Sequence, residues 1–257
     1  MQMGPLRVAA VVLATLIALT IVLAFVAAFL GACRMAEFSA KFNTERAPKC
    51  NISELYPFLK TGDLLFFTAA IYTPANTVFI HTFYTHAAIV LREGDLVYLA
   101  ETQPGLGIMP DPDHPGIEYR MDRSAVVTPL LTRLKYYTGS YYILRLSHPL
   151  DPAREEALKQ EAERLWAVRY PYPSLAQIAL GALGAATPSR HCFQHVAHLL
   201  DVARLTPLGR EGLLQDAGFS EVCTALCEVS GRPLPGGYTY GSPVQILYDV
   251  GAVDPRP

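Results

Sequence analysis

Tyr84-Thr85-His86-Ala87-Ala88-Ile89-Val90-Leu91, then Arg92-Glu93-Gly94-Asp95, then Leu96-Val97-Tyr98-Leu99-Ala100-Glu101 is the most informative run in the chain. Both outer segments are short, apolar and rich in β-branched or aromatic residues, and the joint between them is polar. That is the composition of a β-hairpin buried in a core. A turn at Glu93 to Asp95 brings the open ends of the hairpin together. His86, near the start of the first strand, and Glu101, at the close of the second, then come within reach of each other. An imidazole beside a carboxylate is an oriented general base, and such a base serves a nucleophile.

Before the hairpin, Gly62-Asp63-Leu64-Leu65-Phe66-Phe67 reads as a strand opened by a turn. After it, Ser124 to Pro129 and Tyr141-Tyr142-Ile143-Leu144-Arg145-Leu146 read as further strands. Gly105 to Gly116, with Pro104, Pro110, Pro112 and Pro115, reads as a surface loop. The pattern then changes. Asp151-Pro152 is a cap followed by proline at the first helical position, with Glu155 and Glu156 in the first turn. Leu158, Ala162, Leu165 and Trp166 fall on one face of that helix. Leu175 to Ala185 reads as a second helical run. A third begins at Cys192 and sets Val196, Leu199, Leu200 and Ala203 on one side. Thr206 to Gly218 reads as a mixed connection, Cys223 to Glu228 as a short helical turn, and Val244 to Tyr248 as a last apolar segment. Strands first and helices after imply an α+β domain, an antiparallel sheet packed by helices.

Ahead of this domain, Val8 to Ala32 is nearly unbroken Val, Ala, Leu, Ile and Phe. At about 1.5 Å per residue such a run is long enough for a bilayer core of about 30 Å. Residues 1–35 are therefore expected to be a membrane anchor, with a lipid bilayer as partner, 36–54 a tether, and 55–257 the folded domain. A cleaved signal peptide is the competitor, and Leu30-Gly31-Ala32-Cys33 resembles a lipoprotein box that would lipidate Cys33. Arg7 alone precedes the run, whereas Arg34, Lys41, Arg46 and Lys49 follow it, which favours a cytoplasmic domain over an exported one. Asn51-Ile52-Ser53 matches a glycosylation acceptor and points the other way. A formal net charge of −2 and the lack of any basic block exclude a nucleic-acid partner. Nothing in the chain speaks to oligomeric state.

The nucleophile is narrowed by elimination. No G-x-S-x-G, H-E-x-x-H, P-loop or G-x-G-x-x-G occurs. The five cysteines, Cys33, Cys50, Cys192, Cys223 and Cys227, form no C-x-x-C pair and no disulfide framework. A thiol at a helix N-terminus is activated by the helix dipole, and both Cys192 and Cys223 qualify on that ground. His191, His195 and His198 lie near Cys192 but have no carboxylate at metal-ligand spacing, so neither a metal nor a cofactor is expected.

Gly62 to Phe67, Thr85 to Leu91 and Tyr98 to Glu101 together resemble the opening of the permuted papain-like thiol hydrolases of the NlpC/p60 superfamily, in the YiiX-like amidase branch. There the histidine strand precedes the cysteine helix, and a glutamate follows the histidine about one strand later. The resemblance covers roughly Leu55 to Val250. Its cysteine motif is matched by Cys192-Phe193-Gln194-His195-Val196, which departs from it at Phe193 and His195, and less fully by Cys223-Thr224-Ala225-Leu226. The position of Cys192 after Tyr170-Pro171-Tyr172, and the closing Tyr240-Gly241-Ser242-Pro243, favour Cys192. What the resemblance implies is a Cys192–His86–Glu101 triad acting on an amide or ester. Membrane tethering inclines the substrate towards a lipid or lipidated molecule. The alternatives are a peptidoglycan-peptide amidase of lipoprotein type, and a silent papain-like binding or structural protein.

Overall fold

The computed structural model describes residues 12–26, 29–30, 33, 47–69, 84–102, 107–110, 118–121, 125–137, 139–166, 192–206 and 219–249. In chain order its elements are β1 (Lys49–Asn51), α1 (Ile52–Leu55), a 3₁₀ turn (Tyr56–Phe58), β2 (Leu64–Ala69), β3 (His86–Glu93), β4 (Leu96–Thr102), β5 (Gly107–Pro110), β6 (Glu118–Met121), β7 (Ala125–Pro129), α2 (Leu130–Tyr136), β8 (Gly139–Leu144), α3 (Pro152–Leu165), α4 (Cys192–Val202), α5 (Phe219–Cys227) and β9 (Val244–Leu247). Seven strands form one sheet in the order β1-β9-β8-β2-β3-β4-β7. The domain is α+β.

The hairpin is where the sequence puts it. Glu93 pairs with Leu96, leaving a two-residue turn, and Gly94 takes φ +59°. A glycine with positive φ at the first turn position matches the right-handed twist of the flanking strands. The turn is further held by Arg92, whose Nε donates to the Gly94 carbonyl at 2.9 Å. Its Nη1 donates to the carbonyls of Tyr56, Pro57 and Leu59 at 3.1, 3.1 and 2.9 Å.

Continuous apolar strands follow from burial on both faces. Leu64, Phe66, Ala87, Ile89 and Ala100 join α3, α4 and α5 in one cluster. Leu65, Phe67, Ala88, Val90 and Leu99 join α1 and α2 in another. The α3 N-terminus follows its expected chemistry, with the Asp151 side chain accepting from the Arg154 N–H at 3.0 Å.

Several expectations need correction. The sheet is mixed rather than antiparallel, because β1 runs parallel to β9. These two strands are joined through the whole domain, so no hairpin constrains their direction. Lys49–Asn51, read as part of the tether, is thus an edge strand, and Ile52 just after it is fully buried. The stretch 105–116 is not all loop, since β5 pairs with β6 in a two-stranded ribbon. Pro110 sits at its end, and a two-stranded ribbon has free edges that tolerate a residue without an N–H. Trp166 leaves the apolar face of α3, because the chain turns extended there, and is 66% exposed. The run Leu175 to Ala185 and most of the connection after Thr206 lie outside the described residues.

Residues 12–26 are helical, with Leu13, Leu16, Leu23 and Phe25 exposed. Among the described residues no helix is long and apolar enough to cross a membrane. Residues 29–30 of the anticipated span are also helical, and 8–11, 27–28 and 31–32 lie outside the described residues.

Candidate active site

His86 is the first residue of β3 and pairs across the sheet with Phe67, their rings 5.1 Å apart. One step beyond the Ile89–Ala100 pair, Glu101 stands diagonal to His86 on the same face of the sheet. Diagonal neighbours on one face are within reach of long side chains. The reach is closed here: His86 Nε2 and Glu101 Oε2 are hydrogen-bonded at 2.5 Å. Glu101 has no exposed surface, and the His86 side chain keeps 12%.

Cys192 opens α4, which packs against the opposite face of the sheet through Phe193, Val196, Leu199 and Leu200. Its half-buried thiol is hydrogen-bonded to the imidazole of His86. Because Nε2 is taken by Glu101, Nδ1 is the nitrogen left for the sulfur. As the first residue of an α-helix, Cys192 also carries a backbone N–H with no intrahelical acceptor.

The electrostatics match the geometry. Burial pulls the His86 pKa down, but the Cys192 sulfur and the Glu101 carboxylate outweigh it and raise it from 6.5 to about 9. The imidazole is therefore cationic at neutral pH. Burial pushes Glu101 up, yet Arg133 and then His86 hold it well below the usual carboxylate range. An ion pair thus faces the Cys192 sulfur.

Three of the anticipated residues therefore meet: His86, Glu101 and Cys192. Cys223 does not join them as a nucleophile. Its helix begins at Phe219, so the thiol lies in mid-helix, fully buried, and burial followed by the charge at Cys227 pushes it well above its ordinary value. Phe193 points into the core near Phe66, ring centroids 6.1 Å apart, and not into the site. His195 is buried, and His198 is bonded to Glu161 at 2.6 Å. His191 lies outside the described residues, among which no group of three or more potential metal ligands is gathered.

Two participants were not anticipated. Arg133 Nε donates to both Glu101 oxygens, at 2.9 and 3.2 Å. Tyr137 lies beside it, with its hydroxyl 3.5 Å from the Thr85 hydroxyl. The signal for Arg133 was present in the sequence. Leu130 and Leu134 are four apart, so Arg133 shares their buried stripe, and a buried guanidinium requires an anion.

No family model matches the chain, and no curated protein does. Among solved structures, the crystal structure of metalloprotein yiiX from Escherichia coli O157:H7 superposes with a TM-score of 0.39 and 14% identity, over 74% of this chain and 97% of that one. A likeness that distant is compatible with the α+β layering and extends no further.

Proposed function

We propose that the chain is a papain-like thiol hydrolase or acyltransferase in which Cys192 attacks the carbonyl of an amide or ester. The observation that carries this reading is one imidazole bonded on one side to a buried carboxylate and on the other to the sulfur of a helix N-terminus. Such a sulfur is a strong nucleophile once ionised, and the His86 cation balances its charge. Attack on the carbonyl carbon forms a C–S bond, and the Cys192 backbone N–H donates to the oxyanion that develops. Nδ1 of His86 then gives its proton to the departing amine or alkoxide. The neutral imidazole next takes a proton from water, or from a second alcohol or amine, which releases the acyl group. Glu101 stays ionised throughout and holds the ring in register.

The apolar N-terminal run holds this domain at a bilayer on its cytoplasmic side, which favours a lipid or lipidated substrate. What supports this is the described helix at 12–26, which exposes Leu, Ile, Val and Phe side chains all round. The test is labelling with iodoacetamide at pH 7, followed by peptide mass spectrometry. A fast-reacting thiol at Cys192, lost in C192A and slowed in H86A, is expected. A Cys192 no faster than a free thiol overturns the reading.

A further inference from the structure

Resting on the Cys192 reading, we infer that Arg133 is a positioning residue that keeps Glu101 charged through both halves of the cycle and thereby lets His86 release its proton. Burial creates the need for it. Glu101 has no exposed surface and two neighbouring cations, the His86 ring on one side and the Arg133 guanidinium on the other. When His86 gives its proton to a leaving group, one of those cations disappears. Without Arg133 the carboxylate would then be a lone buried anion, which is strongly unfavourable. The proton would stay on the pair, and the imidazole could serve neither as acid nor as base.

The guanidinium is well placed for this task. It sits on the apolar stripe of α2, 8% exposed, 4.9 Å from the centre of the Phe67 ring and 5.1 Å from that of Tyr137. Aromatic faces stabilise the cation without removing its donors. Arginine does not deprotonate in a protein, so its charge is constant through the cycle. Among the described residues, the other titratable groups around the pair are Cys192 on α4, Tyr137 at the end of α2 and Tyr141 on β8. Burial raises both phenols, Tyr141 to about 12, so neither ionises in the working range.

Removing a positive charge makes the pair hold protons more tightly, so both of its titrations must move up in pH. A purely structural arginine would lower stability and leave the titrations where they are. The experiment follows the His86 ring protons by NMR from pH 4 to 10 in the native chain, R133M and R133K, with H86Q used for assignment. In R133M the His86 titration is expected to rise by about one pH unit, a tenfold gain in proton affinity. R133K, which restores the charge but not the forked donors, is expected to return close to the native titration. Iodoacetamide labelling of Cys192 across the same range should shift in parallel.

An R133M titration that coincides with the native one overturns the inference. If R133M does not fold, R133K against the native chain decides: a titration raised by a full unit despite the retained charge overturns it. A Cys192 that is inert in the native chain removes the catalytic reading alone, because the His86 titration still decides whether Arg133 sets the proton affinity of the pair.

Discussion

Replacing Glu101 by Gln removes one charge and leaves the shape of the side chain. In the native protein its two oxygens meet N–H groups of both His86 and Arg133, with no solvent to take up either. An amide has one carbonyl oxygen, so its NH₂ must face one of those two donors. The guanidinium cannot lose a proton, so the imidazole is the partner that yields and gives up its proton at a lower pH. The rise of His86 from 6.5 to about 9 is worth about 3 kcal/mol between its protonation states, at roughly 1.4 kcal/mol per pKa unit. Glu101 shares that with the Cys192 sulfur. Losing the carboxylate's part, of order half, lowers the His86 titration by about one pH unit, so the imidazolium population falls about tenfold near pH 9 and hardly at all at pH 7. The assay is the rate of carbamidomethylation of Cys192, measured by mass spectrometry from pH 5 to 10. We expect E101Q to react at close to the native rate at pH 7 but about tenfold more slowly near pH 9, and to lose about 1–3 kcal/mol of stability from the half-paired donors. A folded E101Q that labels at the native rate up to pH 10 would make Glu101 a structural partner only, with no part in charging the imidazole.

Three further outcomes follow. C223S should keep the fast-labelling thiol but melt earlier, by about 1–3 kcal/mol, because the new hydroxyl is buried in an apolar core; loss of labelling instead would move the nucleophile. Thermal stability should be highest near pH 4.5. His86 is raised, so its contribution is complete below 6.5 and is lost as pH climbs through about 9; Asp63, raised by burial from 3.8 to about 6, is lost in the same direction. Glu101 is lowered from 4.5, so its contribution is present above that value and is lost as pH falls. A melting temperature that peaks at pH 8 or above contradicts these signs, and H86A should flatten the fall above 6.5. Removal of residues 1–46 should leave the melting temperature unchanged, whereas removal of 1–54 takes away β1 and the buried Ile52 and should cost at least about 3 kcal/mol. Equal melting of the two truncations would show that β1 and Ile52 add nothing to the fold.

What was legible in the sequence was what repeats or punctuates. β3 and β4 carry continuous apolar runs, Ala87 to Leu91 and Leu96 to Ala100, because helices cover both faces, and the Gly94 turn marks their joint. From that hairpin alone it follows that His86 and Glu101 stand close together. The Asp151-Pro152 cap was legible for the same local reason. β1 was not, because three residues carry no periodicity and its pairing partner is β9, nearly the whole domain away. β5 was hidden by Pro110 at its end and by the prolines that flank it in sequence. Choosing between Cys192 and Cys223 depended on where each helix begins, and Phe219, four residues before Cys223, carries no capping signal. Arg133 escaped because its partner is 32 residues distant, and a single charge on an apolar stripe is easily taken for a chain that reaches solvent.

The position of His86 at the very start of its strand explains why the site can exist at all. Its side chain and that of Glu101 lie on the sheet face shared with Phe67, Ala88 and Leu99. Cys192 belongs to the helix on the other face, packed against Phe66, Ala87 and Ile89. Had the imidazole stood at Ala88, directly opposite Glu101 in the register, the sheet itself would separate it from the sulfur. At the first residue of β3 the backbone has only just entered the ladder, so a thiol on one face can meet a ring on the other around the end of the sheet. The carboxylate, further inside, is fully buried, while the His86 side chain keeps 12% of its surface and Cys192 is half-buried. Burial of the anion and access to the nucleophile are opposing demands, and two residues of strand length separate the places where each is met.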